Sequence, residues 1–361
     1  MGNRNKTLAF VSRFHSLSTR TVYNSPSGGG VFVFRPVRCQ QLNQHDYVGI
    51  VMKNTNFDMG LAPLITKNAS TQTFYTIRYL VDAERVADAY RAYAYFRWVD
   101  DSLDAKSMSG MERAAFIQRQ KSILQKCYRH ESASDVNIQE TMLVDLVQRD
   151  HEKNSGLQCY FRNMMAVMSF DAHRRGRLIS QMELNEYTHL LASAVTEAMH
   201  YFIGHCCYSP HDETRYLAVT AAHITHMLRD TFDDMQAGYF NIPREVLNTN
   251  RISPFDIDSK AYRSWVKSRV ALARKYFRAG RDYLRRVQNS RCRLAGFAYT
   301  ARFEWLLDTF EREGCLLRPQ YEERKSVGTG LRMMTSALSS MISFHGTDLP
   351  QEKMAHQGVV R

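Results

Sequence analysis

This chain of 361 residues lacks several features that would define other classes of protein. No apolar run reaches the ~18 residues that a membrane-spanning helix needs, and the best C-terminal stretch, residues 331–344, is interrupted by Thr335, Ser336, Ser339 and Ser340. The seven cysteines form no Cys-x-x-Cys pair. An odd, scattered set of cysteines in a chain of this length indicates reduced thiols. We therefore expect a cytoplasmic protein, either soluble or peripheral to a membrane.

Acidic residues are missing from the N-terminal part, where none precedes Asp46 while arginine and serine are frequent. This composition is typical of a transit peptide, but it also fits upstream sequence before a misassigned start, with Met52 or Met59 as the true beginning. We favour the second explanation, because residues 31–38 (VFVFRPVR) resemble a strand more than an amphipathic presequence. Residues 1–58 are therefore expected to be a poorly ordered extension; we exclude them from the catalytic argument, and the sequence does not indicate their role.

Proline is missing between Pro63 and Pro210, so long helices meet no obstruction there. Apolar residues recur at three- and four-residue steps within 81–99, 219–232 and 265–287, which predicts helices. Strand-like alternation is absent beyond the first 58 residues. We expect an all-α protein with one catalytic domain over residues 59–325 and a flexible tail, rich in Gly, Ser and Met, over residues 326–361.

The formal net charge of +12 favours anionic partners. Much of the excess lies in residues 263–293, which contain eleven Lys and Arg residues and one acid, Asp282. The aromatic residues of this segment fall on several helix faces and no nucleic-acid motif accompanies them, so we expect no nucleic-acid partner. A solvated helix, or one resting on an anionic membrane, is the prediction. The sequence does not indicate an oligomeric state.

Two short acidic runs, about 130 residues apart, carry most of the chemical information. In each run two aspartates are four residues apart, so that on a helix they lie on one face and repel each other unless a cation binds. Magnesium ions typically use one or two protein carboxylates together with substrate phosphates. The runs therefore predict a site for a diphosphate ester. The pairs are Asp100 with Asp104 and Asp230 with Asp234.

A solvated helix end is the alternative explanation, since acids near a helix N-terminus are common and favourable. Both runs, however, follow apolar stretches and are predicted at the C-terminal ends of their helices, where the macrodipole disfavours negative charge. An arginine, Arg97 or Arg229, precedes each run. This placement favours metal binding over a solvated surface.

The segment 93–104 (YAYFRWVDDSLD) resembles the first aspartate motif of the squalene and phytoene synthase family. Residues 228–234 (LRDTFDD), followed by 238–243 (GYFNIP), resemble the second motif, and residues 70–74 (STQTF) resemble the Ser/Thr-rich flap segment. The resemblance covers roughly residues 65–322. It implies an isoprenoid synthase helical fold with a central cavity, and an activity that joins two prenyl diphosphates head to head.

The resemblance also implies individual roles. Two or three Mg²⁺ ions would be bound by Asp100, Asp104, Asp230 and Asp234. Diphosphate would be bound by Arg97, Arg229, Arg318, Thr71, Thr73 and Tyr239. The cavity near the reacting carbons would be lined by Tyr93, Phe74 and Phe303. Aromatic faces stabilise a carbocation without attacking it, while guanidinium groups and Mg²⁺ neutralise the leaving diphosphate.

Histidines stand at three positions where relatives carry other residues. His189, together with Ser193 and Thr196, replaces a tyrosine and small glycines, and His223 and His226 replace Gln and Asn. We interpret the three histidines as catalytic bases, cation-quenching groups or diphosphate contacts, or else as a hydrogen-bonded cluster without a chemical role. These histidines are compatible with ionisation of the first prenyl diphosphate, but they leave the identity of the reaction product open.

The combined prediction is a condensation of two geranylgeranyl or farnesyl diphosphates, through a cyclopropylcarbinyl diphosphate, to a phytoene- or squalene-type hydrocarbon. The YFNIP continuation and the lack of a C-terminal anchor indicate a greater likeness to phytoene and dehydrosqualene synthases than to NADPH-using squalene synthases, so no NADPH is expected. One alternative is a class I terpene cyclase acting on one prenyl diphosphate. The other is a non-catalytic assembly factor, which would be expected to lose the aspartates that this chain retains.

Overall fold

The computed structural model describes residues 60–105 and 107–321, together with Thr335. Residues 60–321 form twelve α-helices and one 3₁₀ turn, and within them the only β-type pairing is an isolated bridge between Leu178 and Phe240. The all-α prediction is confirmed. The predicted extension 1–58 lies outside the described residues, as does the predicted tail apart from Thr335, and the domain boundaries stay predictions. The helices are α1 (Leu61–Ala69), α2 (Thr71–Leu80), α3 (Val86–Asp104), α4 (Gly110–Tyr128), α5 (Ile138–Gln148), α6 (Gly156–Arg174), α7 (Gln181–Phe202), α8 (Leu217–Arg229), α9 (Thr231–Gln236), α10 (Arg244–Asn250), α11 (Lys260–Arg286) and α12 (Ser290–Arg312).

Local sequence fixes where several of these helices begin. Helix α4 starts with a capping box in which Ser109 accepts from the backbone N–H of Glu112 while the Glu112 side chain accepts from the backbone of Ser109. Helix α7 starts with the same arrangement of Ser180 and Glu183. Each box satisfies two N–H groups that a helix end would otherwise leave without partners.

The helices enclose a central cavity of about 260 Å³, as the resemblance implied. Helix α6 packs along α7, and α8 packs along α11, which also contacts α12. Buried aromatic residues fill the space between the helices on both sides, including Phe96 and Phe161 in one cluster and Phe277 and Phe310 in the other. The cavity wall is formed by α2, α3, α6, α7, α8, α11 and α12.

The basic segment predicted at residues 263–293 is mainly helix α11, and acidic side chains neutralise part of its charge. Arg274 pairs with Asp308 and Glu311 of α12, and Arg281 pairs with Glu304. Membrane contact through this segment stays a prediction, which the ion pairs weaken. In the described part of the chain, no helix combines the length and the apolar character that crossing a membrane requires.

Gly280 allows the close approach of α11 to α8. A Cβ atom at position 280 would lie 2.6 Å from the backbone nitrogen of Ala218 and 2.7 Å from its Cα. Backbone atoms cannot move aside as a flexible side chain can, so we expect Gly280→Ala to lower the free energy of unfolding by about 1–3 kcal/mol, despite the helix propensity that alanine adds. Chemical denaturation measures this change.

Gly110→Ala is the matched control, because the only atom near an added Cβ there is the tip of the Arg113 side chain at 3.9 Å. We expect this variant to be as stable as the wild type or slightly more stable. Equal unfolding free energies for the two variants would contradict the close contact between α8 and α11.

Candidate active site

The first acidic run occupies the last turn of α3, as predicted. Asp100 is buried, with 5% of its surface exposed, and Asp104 is the final helical residue. The last turn of α3 contains no basic residue, so the C-terminal end of the macrodipole and the two carboxylates place negative charge together. This accumulation is suited to a bound cation.

Arg97 lies one turn before Asp100 and is 8% exposed. Its Nε donates to Asp101 at 2.9 Å, and its Nη2 donates to the other oxygen of Asp101. Its buried Nη1 has no hydrogen-bond acceptor among the described residues. A buried guanidinium N–H without an acceptor costs free energy, so this atom is a candidate donor to an anionic ligand.

The second acidic run spans a break between two helices. Helix α8 ends at Arg229, Asp230 caps it, and Asp234 lies in the first turn of α9. The prediction that the whole run lies at a helix C-terminus is therefore wrong for Asp234, whose position is one that the macrodipole favours. The backbone N–H of Asp234 still donates to the carbonyl of Asp230 at 2.8 Å, so these two aspartates are one helical turn apart despite the break between the helices.

Asp230 is held by Arg229, the residue directly before it, and by His226, one helical turn earlier. Arg229 donates to it through Nε at 2.5 Å and Nη2 at 2.7 Å, and His226 Nδ1 lies 3.3 Å from its Oδ2. Arg229 Nη2 also contacts His226 Nε2 at 2.9 Å. Both Arg229 and His226 are buried. Arginine, histidine and aspartate thus form one polar group at the end of α8.

An electrostatic effect relates Asp104 of the first run to Tyr239, in the loop after the second run. Burial first, and then the carboxylates of Asp171 and Asp104, raise the pKa of Tyr239, which follows the second run. Asp104 therefore lies near the loop after Asp234. The pKa of Tyr93 is likewise raised, mainly by burial, while Arg97 and Arg302 oppose the shift.

Thr73 and Tyr93 are the predicted site residues that line the central cavity. Sequence reasoning missed Arg302, which lines the cavity, is 8% exposed and donates to Gln72 at 2.7 Å through Nη1. Its guanidinium also lies 4.9 Å from the ring of Phe303. The sequence offered one signal for Arg302, namely that it directly precedes Phe303, a residue that the resemblance had selected.

A second arginine missed by sequence reasoning, Arg215, contributes to another wall of the cavity. It forms a bidentate pair with Glu197 at 2.6 and 2.8 Å and donates to the Tyr283 hydroxyl at 2.9 Å. That hydroxyl lies 2.7 Å from His200 Nε2. Burial, with a smaller effect from Arg215, lowers the pKa of His200 to about 4, so the imidazole is neutral near pH 7. Polar groups on this wall thus bond mainly to one another.

The aspartates of the two runs, Arg97, Arg229 and His226 do not line the cavity, and neither do four further predicted residues. His189 is exposed, because on α7 it lies about 200° around the axis from the buried Tyr187. Phe74 packs its ring 5.4 Å from Tyr90, and the neighbouring Thr73 occupies the wall in its place. Arg318 lies after α12, with Nε 3.0 Å from Glu313. Thr71 is the fourth, at the start of α2.

Three other predicted residues, His223, Phe303 and Tyr239, are buried and do not line the cavity. His223 is buried, with its ring 5.4 Å from that of Tyr187, and Phe303 is fully buried, with its ring 5.9 Å from that of His226. Tyr239 is buried beside the second run, and its backbone N–H donates to the carbonyl of Asp234 at 2.8 Å. Phe303 and Tyr239 thus contact the second run or the helical turn before it.

The donor set fits magnesium shared with a phosphate ligand. Within the described ranges, no group of three His, Cys, Asp or Glu side chains forms a metal site by itself. Magnesium commonly takes one or two carboxylates and completes its shell with water and substrate phosphates. The two runs offer hard carboxylate oxygens without thiols, and the buried Nη1 of Arg97 lies one turn before the first run. The residues therefore fit magnesium that binds together with a diphosphate, but not a site made by protein alone.

A sequence profile of the squalene/phytoene synthase family matches residues 67–328. The chain belongs to this family. Members of the squalene/phytoene synthase family are prenyltransferases, and the enzyme class predicted from the sequence is confirmed. No curated protein is significantly similar to the chain.

Two solved structures of squalene/phytoene synthase type resemble the fold. A squalene synthase HpnC from Alicyclobacillus acidocaldarius has 17% sequence identity and a TM-score of 0.58, covering 72% of this chain and 94% of its own. A dehydrosqualene synthase in complex with a ligand has 15% identity and a TM-score of 0.61, covering 78% of this chain and 95% of its own. At such identities the likeness shows the shared helical fold.

Proposed function

We propose that this protein catalyses the Mg²⁺-dependent head-to-head condensation of two geranylgeranyl or farnesyl diphosphates, releasing diphosphate. The observation that carries the proposal is the buried Arg97, whose Nη1 has no acceptor in the described part of the chain and which lies one turn before Asp100. Tyr93, one turn before Arg97 on α3, lies on the wall of a mainly apolar cavity. Together these features suit an anionic head group attached to a hydrocarbon chain.

The aspartates and the arginines have different roles in ionisation of the substrate. Asp100, Asp104, Asp230 and Asp234 would hold magnesium, which when bound neutralises the charge of the leaving diphosphate. Arg97 and Arg229 donate hydrogen bonds to diphosphate oxygens as the carbon–oxygen bond breaks. The central cavity has a mainly apolar lining, and charge–charge interactions are stronger in such surroundings than in water.

The cavity wall protects the cation that ionisation leaves behind. Burial raises the pKa of Tyr93, so its phenol stays neutral and presents an aromatic face rather than a nucleophilic phenolate. The cation forms a carbon–carbon bond with the double bond of the second substrate, and proton loss gives the cyclopropylcarbinyl diphosphate. A second ionisation, rearrangement and proton loss give a phytoene- or dehydrosqualene-type hydrocarbon. This sequence needs no reductant, in keeping with the expectation that NADPH is not used.

A product profile tests the proposal. The purified full chain is incubated with Mg²⁺ and either geranylgeranyl or farnesyl diphosphate, and the extract is analysed by mass spectrometry. We expect a hydrocarbon with twice the carbon number of the substrate, and no product when EDTA removes the metal. A cyclic product with the carbon number of one substrate would contradict condensation and support the cyclase alternative. Absence of any product from both substrates would contradict the proposed activity.

A further inference from the structure

Arg174 is among the largest side chains that the described residues bury completely, with 1% of its surface exposed. It is the last residue of α6. A buried cation persists only where charged and hydrogen-bonding partners compensate for its lost hydration. The partners of Arg174 therefore indicate the role of this buried side chain.

The guanidinium of Arg174 is fixed on several sides. Its Nε donates to Asp171 at 2.6 Å, and its Nη1 donates to the side-chain oxygen of Asn241 at 2.9 Å. Its central carbon lies 4.8 Å from the ring centroid of Tyr187 and 5.0 Å from that of Tyr239. Tyr187 in turn donates to Asp171 at 2.9 Å. The cation thus has little freedom to rotate.

Asn241 connects this cation to the second acidic run. Its Nδ2 donates to Oδ2 of Asp234 at 2.6 Å, and both residues are buried. A guanidinium can only donate, so the amide oxygen of Asn241 must face Arg174 and the amide nitrogen must face Asp234. The orientation of Asn241 is therefore determined by its neighbours, and it presents a donor to the carboxylate.

The backbone around Arg174 holds the loop that carries Asn241. The N–H of Gly176 donates to the carbonyl of Gly238 at 2.7 Å, and Leu178 forms its bridge with Phe240. Arg175 Nε adds a bond to the carbonyl of Ala237 at 2.9 Å. The segment after α6 is thereby tied to the loop after α9.

We propose that Arg174 and Asn241 are positioning residues that hold the Asp234 carboxylate in the orientation required to bind a divalent cation. The inference rests on the proposed function, in which Asp234 is a metal ligand. Partners of this kind orient metal ligands in many proteins, and their removal typically costs about 10- to 100-fold in metal affinity. Arg174 itself need not contact substrate.

Binding of Mn²⁺ to the purified full chain in the presence of inorganic diphosphate, followed by the electron paramagnetic resonance signal of free Mn²⁺ against a sample without protein, tests this inference without relying on activity. Asn241→Leu keeps a side chain of similar size and leaves the Arg174–Asp171 pair in place. We expect it to weaken Mn²⁺ binding by about 10-fold or more. Arg174→Lys keeps the positive charge but loses the planar fork, and we expect a smaller loss.

Asn163→Leu is the matched control. Asn163 is buried to the same degree, 8% exposed against 7% for Asn241. It lies on α6, the helix that ends at Arg174, and donates to the Cys159 sulfur at 3.4 Å. We expect this variant to bind Mn²⁺ like the wild type. Circular dichroism establishes that each variant folds, and Arg174→Lys provides the test if Asn241→Leu does not.

The outcomes separate the inference from the proposed function. If Asp234→Asn weakens Mn²⁺ binding but Asn241→Leu and Arg174→Lys do not, the positioning role is overturned and the function stands. If neither Asp100→Asn nor Asp230→Asn changes Mn²⁺ binding, or the wild type binds none, the metal assignment itself is overturned and the inference fails with it.

Discussion

Asp100→Asn is expected to reduce hydrocarbon formation by about 10³-fold or more, and Asp230→Asn by a similar factor. Each change removes one negative charge from a buried or half-buried carboxylate in a different acidic run. The metal that neutralises the leaving diphosphate is then held too weakly to support ionisation. Turnover at saturating Mg²⁺ and prenyl diphosphate measures the loss, and far-UV circular dichroism shows whether helicity is preserved.

Asp233→Asn is the matched control for the carboxylate variants. Asp233 belongs to the same run and precedes Asp234 directly, but it is exposed whereas Asp234 is buried. We expect Asp233→Asn to retain turnover within about 3-fold of the wild type, because exposed charges contribute little. Wild-type turnover in both Asp100→Asn and Asp230→Asn would contradict the assignment of these residues as metal ligands.

The sequence predicted the helical fold because helix formation depends on local patterns. Apolar residues at three- and four-residue steps and the missing prolines predicted helix for segments that the structure shows as α3, α8 and α11. The break inside the second run escaped this reasoning. The Thr231 hydroxyl donates to the carbonyls of Met227 and Leu228, both at 3.0 Å, and so bonds C-terminal carbonyls of α8 where α9 begins. A threonine has this effect only in the right geometry, which periodicity does not reveal.

Burial explains why sequence reasoning missed Arg174. In the sequence it belongs to the run RRGR at residues 174–177, which resembles a solvated basic turn. In the structure Arg175 and Arg177 are exposed as that interpretation expects, whereas Arg174 is buried against residues 13 and 67 positions away, Tyr187 and Asn241. Contacts between residues so distant in sequence depend on the assembled fold.

His189 shows the opposite error. Its role came from the resemblance, which matched it to a position that relatives fill with a tyrosine. Two residues earlier on the same helix, Tyr187 is 1% exposed, so a helix that buries position 187 turns position 189 outward. The helical period could have corrected this prediction before the structure did, because the apolar face of α7 is visible in the sequence.

Arg97→Met is expected to lower kcat/KM for the prenyl diphosphate by about 10²- to 10³-fold. The reason is the buried Nη1, which the described residues leave without an acceptor and which a diphosphate oxygen would fill. Arg97→Lys should recover only part of the loss, because a single ammonium cannot both retain the two bonds to Asp101 and reach the ligand. Steady-state kinetics, together with inhibition by inorganic diphosphate, measures the effect.

Arg91→Met is the control that separates loss of an anion site from loss of an arginine. Arg91 lies on the same helix, α3, and pairs with Asp88 at 2.7 Å, but it is remote from the acidic run and partly exposed. We expect its kcat/KM to stay within about 3-fold of the wild type, since such ion pairs contribute little. If Arg97→Met and Arg91→Met were equally active and equally inhibited by diphosphate, the buried Nη1 would not mark the anion site. The case for an ionising diphosphate substrate would then rest on the aspartates alone.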